Sequence, residues 1–164
     1  MAGNISILMT YGDLKGDATE AVHKNWVRLN SCSFDVIRNV SQESGNPKRN
    51  VGTPSISTLK LTKKMDSATP GIFLESLTGS GQNATIHFCQ GADGSNLQVF
   101  MEYKLENALI SHYSVDAEEG ENTVHEHFII SFTTIKTVYT PYDTAGKKGT
   151  PMASGYNIIE AKRI

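Results

Sequence analysis

Two cysteines, Cys32 and Cys89, in a chain of 164 residues are too few and too isolated for a disulfide scaffold. Each sits among strand-forming residues, which points to buried free thiols. Apolar residues never run for the roughly 18 positions that a membrane-spanning helix needs, so no stable membrane insertion is expected. An excess of one charge is also missing. Fifteen Lys and Arg stand against 17 Asp and Glu, and they are scattered. A nucleic-acid surface needs a concentrated basic footprint, so nucleic acid is not an expected partner. The opening Met1-Ala2-Gly3-Asn4 has neither the basic nor the apolar segment of a secretory signal. The chain is expected to start in the cytoplasm and, if exported, to use a route that reads no N-terminal signal.

Catalytic templates are absent or out of context. No Ser occupies a G-x-S-x-G elbow. Gly79-Ser80-Gly81-Gln82-Asn83-Ala84 fits the loose dinucleotide pattern, but a helix precedes it and a strand follows, the reverse of what phosphate binding requires. Gly146-Lys147-Lys148-Gly149 lacks the P-loop spacing and reads as a turn. Asp116, Glu118, Glu119 and Glu121 lack the ligand spacing of an EF-hand and suit the charged end of a hairpin. Asp13 and Asp17 lie in a Gly-containing loop with no apolar pocket to separate their pKa values. His125 and His127 leave the same face of a strand, with His87 or His112 as conceivable third zinc ligands, while Glu126 faces the other way. Polar positions on a solvent-facing strand are the favoured reading. No enzyme, cofactor or metal is expected.

What remains is mostly β. Ile5 to Met9 reads as a first strand, Trp26 to Ile37 as a strand with one packed face, and Ile56 to Lys63 and Thr85 to Gln90 as further strands. Gly91-Ala92-Asp93-Gly94 reads as a turn. Leu97, Val99, Met101, Tyr103 and Leu105 alternate with Gln98, Phe100, Glu102 and Lys104, which predicts one core face and one polar face. Phe100 breaks the polar face and is expected under a neighbour or under the helix. Val124 to Tyr139 is a long β-rich run with Val124, Phe128, Ile130 and Phe132 on one face. One short helix is predicted after Thr69 as N-cap and Pro70 as first residue, with Phe73 and Leu77 on one face and Gly79 closing it in the left-handed conformation. Between these elements, Asn39 to Pro54 is polar, with Val51 almost alone as an apolar member, and reads as a long projecting loop.

Several short motifs occur in one order along the whole chain. Gly16-Asp17, Glu20, His23-Lys24-Asn25-Trp26-Val27 and Ser33-Phe34 open it. Lys64-Met65-Asp66-Ser67-Ala68-Thr69-Pro70 leads into the helix. Leu105 to Ser111, then Ser131-Phe132 with Tyr139-Thr140-Pro141, and finally Gly155-Tyr156-Asn157-Ile158 follow. Together they resemble the haemolysin-coregulated protein (Hcp) family, the tube subunits of type VI secretion systems. Asn25 stands where that family usually carries Gly, Asp35 where Gly is common, and Tyr156 where Trp is frequent.

The length reads as a single domain over 1–164, and strands at short spacing with one helix suggest a compact antiparallel barrel or sandwich with a long projecting loop. The resemblance implies an antiparallel β-barrel of two packed sheets with one flanking helix. It also implies a homohexameric ring, rings stacked into a hollow tube, and ejection from the cell. Expected partners are further copies of the chain, a spike protein, baseplate and sheath, and effectors carried in the lumen. The family signature falls on Gly16, Asp17, His23, Lys24, Trp26, Phe34, Asp66, Pro70, Gly155 and Tyr156. The residues chosen for contact between subunits or rings are Gln42, Glu43, Ser44, Asn46, Pro47, Lys48, Arg49, Asn50 and Val51. They offer polar partners, a stiffening Pro and two cations for steered docking. The competing expectation is a chaperone or carrier of the same shape that does not polymerise.

Overall fold

The computed structural model describes residues 3–91 and 97–164, so Ala92 to Gly94 of the expected turn lie outside the described residues. In chain order the elements are β1 (Ile5–Tyr11), a 3-10 turn (Ala21–His23), β2 (Val27–Leu29), β3 (Ser31–Ser33), β4 (Val36–Ile37), β5 (Val40–Gln42) and β6 (Arg49–Val51). There follow β7 (Ser55–Ile56), β8 (Leu59–Lys64), α1 (Thr69–Thr78), β9 (Gln82–Gln90) and β10 (Gln98–Asp116). The chain ends with β11 (His125–Ser131), β12 (Thr134–Tyr139), β13 (Met152–Asn157) and β14 (Lys162–Arg163).

Two antiparallel sheets share β10. Its first half pairs with β9 and β12, and its second half with β11. The first sheet runs β2-β1-β9-β10-β12-β13-β14, and the second runs β10-β11-β8-β3. The strand changes sheet near Asn107, which takes a left-handed φ of 51° beside a register shift between Leu105 and Ala108. Such irregularities are how one strand turns a corner between packed sheets. The pairing path is open among the described residues, so strand pairing does not complete the closed barrel that was expected. Met9, Val27, Leu61, Ile72, Ile86, Leu105, Phe128 and Ile130 fill the space between the sheets.

The strict alternation of Leu97 to Leu105 does not give one core face. Val99 pairs with Cys89 and Met101 with the adjacent Phe88, so Phe100 is the extra residue of a bulge. The bulge reverses the side-chain direction. Leu97 and Val99 therefore pack against Leu8, Cys89, Ala18 and Trp26 on the outer side of the first sheet, while Tyr103 and Leu105 face the main core. Phe100 is half-buried and shares a cleft of about 150 Å³ with Tyr139 and Tyr142, rather than lying under α1.

The expected strand from Trp26 to Ile37 is broken for a similar reason. β2 belongs to the first sheet and β3 to the second, with the Asn30 N–H donating to Thr62 O at the crossing. The expected loop from Asn39 to Pro54 is ordered as a β-hairpin arm: β5 pairs with β6 at the tip, and β4 pairs with β7 at the base.

α1 lies where expected but packs differently. Its buried side chain is Ile72, while Phe73, Leu74 and Leu77 are exposed. Thr69 is the first helical residue rather than the N-cap, and Asp66 Oδ1 instead accepts from the Ala68 N–H at 2.9 Å. Gly79 is extended, at φ −63°, not left-handed. Glycine is needed there because a Cβ would sit 2.4 Å from Glu75 O.

A buried polar knot holds the helix to the second sheet. Lys63 Nζ lies 2.5 Å from Glu126 Oε2, and both side chains are fully buried. Asp66 Oδ1 is 2.8 Å from the same ammonium. Glu126 also accepts from Tyr113 Oη at 2.5 Å and from Thr69 Oγ1 at 2.9 Å. Burial, with the Glu126 carboxylate, pushes the Tyr113 phenol upward. The inward turn of Glu126 matches its predicted opposition to His125 and His127, which are exposed.

Removing one member of such a pair strands the other. Lys63→Met is expected to lose about 3–5 kcal/mol in urea unfolding, and the double variant Lys63→Met/Glu126→Gln to lose less. Equal losses in the two variants would show that the charges are not coupled.

Candidate functional site

The residues singled out from the sequence fall into three places. The nine contact candidates, Gln42, Glu43, Ser44, Asn46, Pro47, Lys48, Arg49, Asn50 and Val51, all lie in the β5–β6 arm, and every one is exposed. Gly45, at φ 84°, turns the tip, and Asn46 Oδ1 accepts from the Lys48 N–H at 3.0 Å. The arm is braced at its neck. Arg38 Nε donates to Gly52 O at 3.0 Å, and the Gly52 N–H donates to Asn39 O at 2.8 Å.

The arm is less polar than its sequence suggested. Val40 and Val51 are direct cross-strand partners on one face, 56% and 49% exposed. Val36 and Ile37 at the base are exposed as well. The signal was available: Val36, Ile37, Val40 and Val51 sit at spacings that fit short paired strands. It was hidden because the polar residues between them outnumber them.

The second place is a cleft of about 310 Å³ at the base of the arm, lined mainly by apolar atoms of Phe34, Val36, Pro54, Ile56, Ile135 and Tyr156. Gly155 borders it too. Three signature residues from opposite ends of the chain, Phe34, Gly155 and Tyr156, thus meet at one surface. Phe34 is held by an edge-to-face contact with Tyr103 at 5.5 Å.

The third place is the loop between β1 and β2, which lies on the outer side of the first sheet. A Cβ on Gly16 would come within 2.4 Å of Trp26 O, so the two arms of the loop approach only because this residue is Gly. Asp17 Oδ1 accepts from Ser67 Oγ at 2.5 Å, tying the loop to the turn that follows Asp66 and leads into the helix, where Pro70 is the second residue. Lys24 is exposed. His23 is buried against Trp26, with ring centroids 4.7 Å apart. His23 Nε2 is 2.8 Å from His87 Nδ1, and His87 Nε2 is 2.6 Å from Glu102 Oε2. His87 is therefore committed to Glu102 in the first sheet and is not near His125 and His127 on β11.

Asn25 sits at φ 64°. The position demands a left-handed residue, and Asn is the side chain that enters that region most readily after Gly. The departure from the family pattern is thus a conformational equivalent. Asp35, by contrast, is not left-handed; its N–H donates to Ser57 Oγ at 2.8 Å.

The nearest thing to a nucleophile is Cys89, 3.9 Å from His23 Nε2. It is fully buried, and that burial pushes its thiol up to about 11. Cys32 is pushed to about 11 for the same reason. Thiols so placed are inert packing groups.

Two packed sheets sharing a strand, one helix and a braced arm define a class that comparison makes specific. The profile of the family described as "Type VI secretion system effector, Hcp" matches residues 8–139, and the chain belongs to that family of type VI secretion proteins. Protein hcp1 of Pseudomonas aeruginosa is similar to it, 23% identical over 155 residues that cover 94% of this chain and 95% of that one. A solved type six secretion system protein superposes with a TM-score of 0.89 at 23% identity, over 98% of this chain and 100% of the other. Hcp1 from Salmonella typhimurium superposes with a TM-score of 0.77 at 20% identity over the full length of both. These likenesses carry the fold.

The left-handed backbone at Asn25 gives a direct test. Asn25→Gly is expected to stay within about 1 kcal/mol of the parent in urea unfolding. Asn25→Val is expected to lose about 1–2 kcal/mol. Equal stability of the two variants would contradict the conformational reading.

Proposed function

We propose that this chain is a single-domain tube subunit that works by docking against its own copies. Six copies form a ring, the rings stack into a hollow tube, and the tube is ejected carrying effectors in its lumen. Spike, baseplate and sheath are its other partners. It carries out no catalysis.

The observation that carries this reading is the β5–β6 arm. It is braced at its neck, yet it presents Val40 and Val51 to solvent at about half exposure. A monomer gains nothing from holding such a patch out. A ring closes through a heterologous contact, in which one patch meets a different patch on the neighbour. The arm supplies one patch, and the apolar cleft beside Phe34 and Tyr156 supplies a complementary kind of surface. Burying each valine from half exposure contributes roughly 1 kcal/mol. That is weak for one contact and sufficient when six are made together. Lys48 and Arg49 at the tip speed encounter rather than hold it.

The lumen wall follows from the same arrangement. On the outer side of the first sheet Lys104 and Lys136 are cross-strand partners, with Glu102 beside them. Such a face suits water better than a protein core. A carrier that stays monomeric would present the same cleft without self-association.

Light scattering of the purified chain is expected to give six times the 17.9 kDa of one copy. Deletion of Ser44 to Val51 removes only exposed residues, those of β6 among them, so the variant should stay folded with its core intact and yet lose tube formation by negative-stain microscopy. Unchanged tubes in the deletion, or a monomeric parent, would refute the proposal.

A further inference from the structure

The His23–His87–Glu102 chain joins the β1–β2 loop to the first sheet, and its proton arrangement has a consequence. An ionised carboxylate only accepts hydrogen bonds, so the 2.6 Å contact to Glu102 puts a proton on His87 Nε2. Glu102 is ionised: burial opposes its charge, and hydrogen bonds from His87 and Lys104 outweigh that, holding it below the usual carboxylate range. The 2.8 Å contact between His23 Nε2 and His87 Nδ1 then needs one proton between two nitrogens. Either ring can supply it. If both rings are charged, N–H faces N–H and the contact cannot exist.

We propose that this chain carries an acid-sensitive latch: one shared proton joins His23 of the β1–β2 loop to His87 of the first sheet, and charging both imidazoles breaks that contact and loosens the loop around His23 and Trp26.

Every charged or titratable group around the contact fits this role. From the loop, Glu20 faces His23, but Arg28 of β2 pairs with its carboxylate. From β9, Cys89 lies 3.9 Å from His23 Nε2, and its thiol is neutral because burial raises it to about 11. From β10, Glu102 is shared between His87 and Lys104, whose ammonium is 3.1 Å away. None of these offers a new acceptor to a second cation. His23 Nδ1 is buried with no hydrogen-bond partner among the described residues. Burial first, and then the His87 imidazole, push the pKa of His23 below its ordinary value, against the pull of Glu20. A histidine depressed in the folded state stabilises above its unfolded pKa of about 6.5 and loses that contribution as pH falls toward its folded value. The carboxylates Glu20 and Glu102, both held low, lose theirs only below about pH 4.5. Between these limits the contribution that is lost is that of His23.

Trp26 is the only Trp in the chain and touches both rings, at 4.7 Å from each. Its emission therefore reports the latch directly. Titrating the intact protein from about pH 8 to about pH 5 should give a reversible change in emission centred below about pH 6.5, with the far-ultraviolet spectrum unchanged. His23→Gln should abolish the change. His87→Gln, which removes the second imidazole and offers an amide oxygen to the His23 N–H in either charge state, should abolish it as well. If the variants fail to fold, the His23 ring protons of the parent, followed by nuclear magnetic resonance, decide: titration below about pH 6.5 together with faster amide exchange in residues 18–26 supports the latch. Flat Trp26 emission, a transition that survives in His23→Gln, or simultaneous loss of the whole fold would overturn it. This test is independent of whether the chain assembles.

Discussion

One strand constrains everything else. β10 spans 19 residues and belongs to both sheets, so the angle at which it bends near Asn107 sets how the sheets face each other. Its first half fixes β9 and β12, and through them β1 and β13. Its second half fixes β11, and through it β8. α1 also packs on it. The core between the sheets exists because this bend brings Ile86 and Leu105 over Phe128 and Ile130. A straight strand of the same sequence would leave those faces in water.

Buried polar groups sit at the joints of this frame. Lys63 and Glu126 join the helix to the second sheet, and His23, His87 and Glu102 join a loop to the first. In each case a charge or proton is satisfied only in one relative placement of two elements. Burying such groups gives little net stability, but losing one partner is costly, so each ties its two elements to the placement in which it is satisfied. Cys89 is buried and Cys32 partly so, and burial pushes both thiols up to about 11.

What could be read from the sequence followed local pattern. The first strand, the position of the helix, the charged hairpin end after Asp116 and the inward turn of Glu126 all rest on short-range periodicity. The bulge at Phe100 escaped because alternation in sequence does not show where the partner strand skips a residue. Phe73 and Leu77 share a helix face as expected, but which face meets the sheet was not legible: Ile72 is the buried side chain and those two are exposed. The meeting of Phe34 with Tyr156, and of His23 with His87, joins residues far apart in the chain, and no local rule links them. The ordered motifs nevertheless identified the family, since a series of weak matches in register is strong even when each is weak.

The account's central claim is that the arm is a docking element whose valines become buried between copies. Hydrogen exchange at the backbone amides of Val40 to Gln42 and Arg49 to Val51 tests it most directly, read in assembled material and again after dilution to single chains. The claim predicts slow exchange in the assembly and fast exchange on dilution, with the amides of β10 slow in both. Fast exchange in the arm regardless of assembly would contradict it.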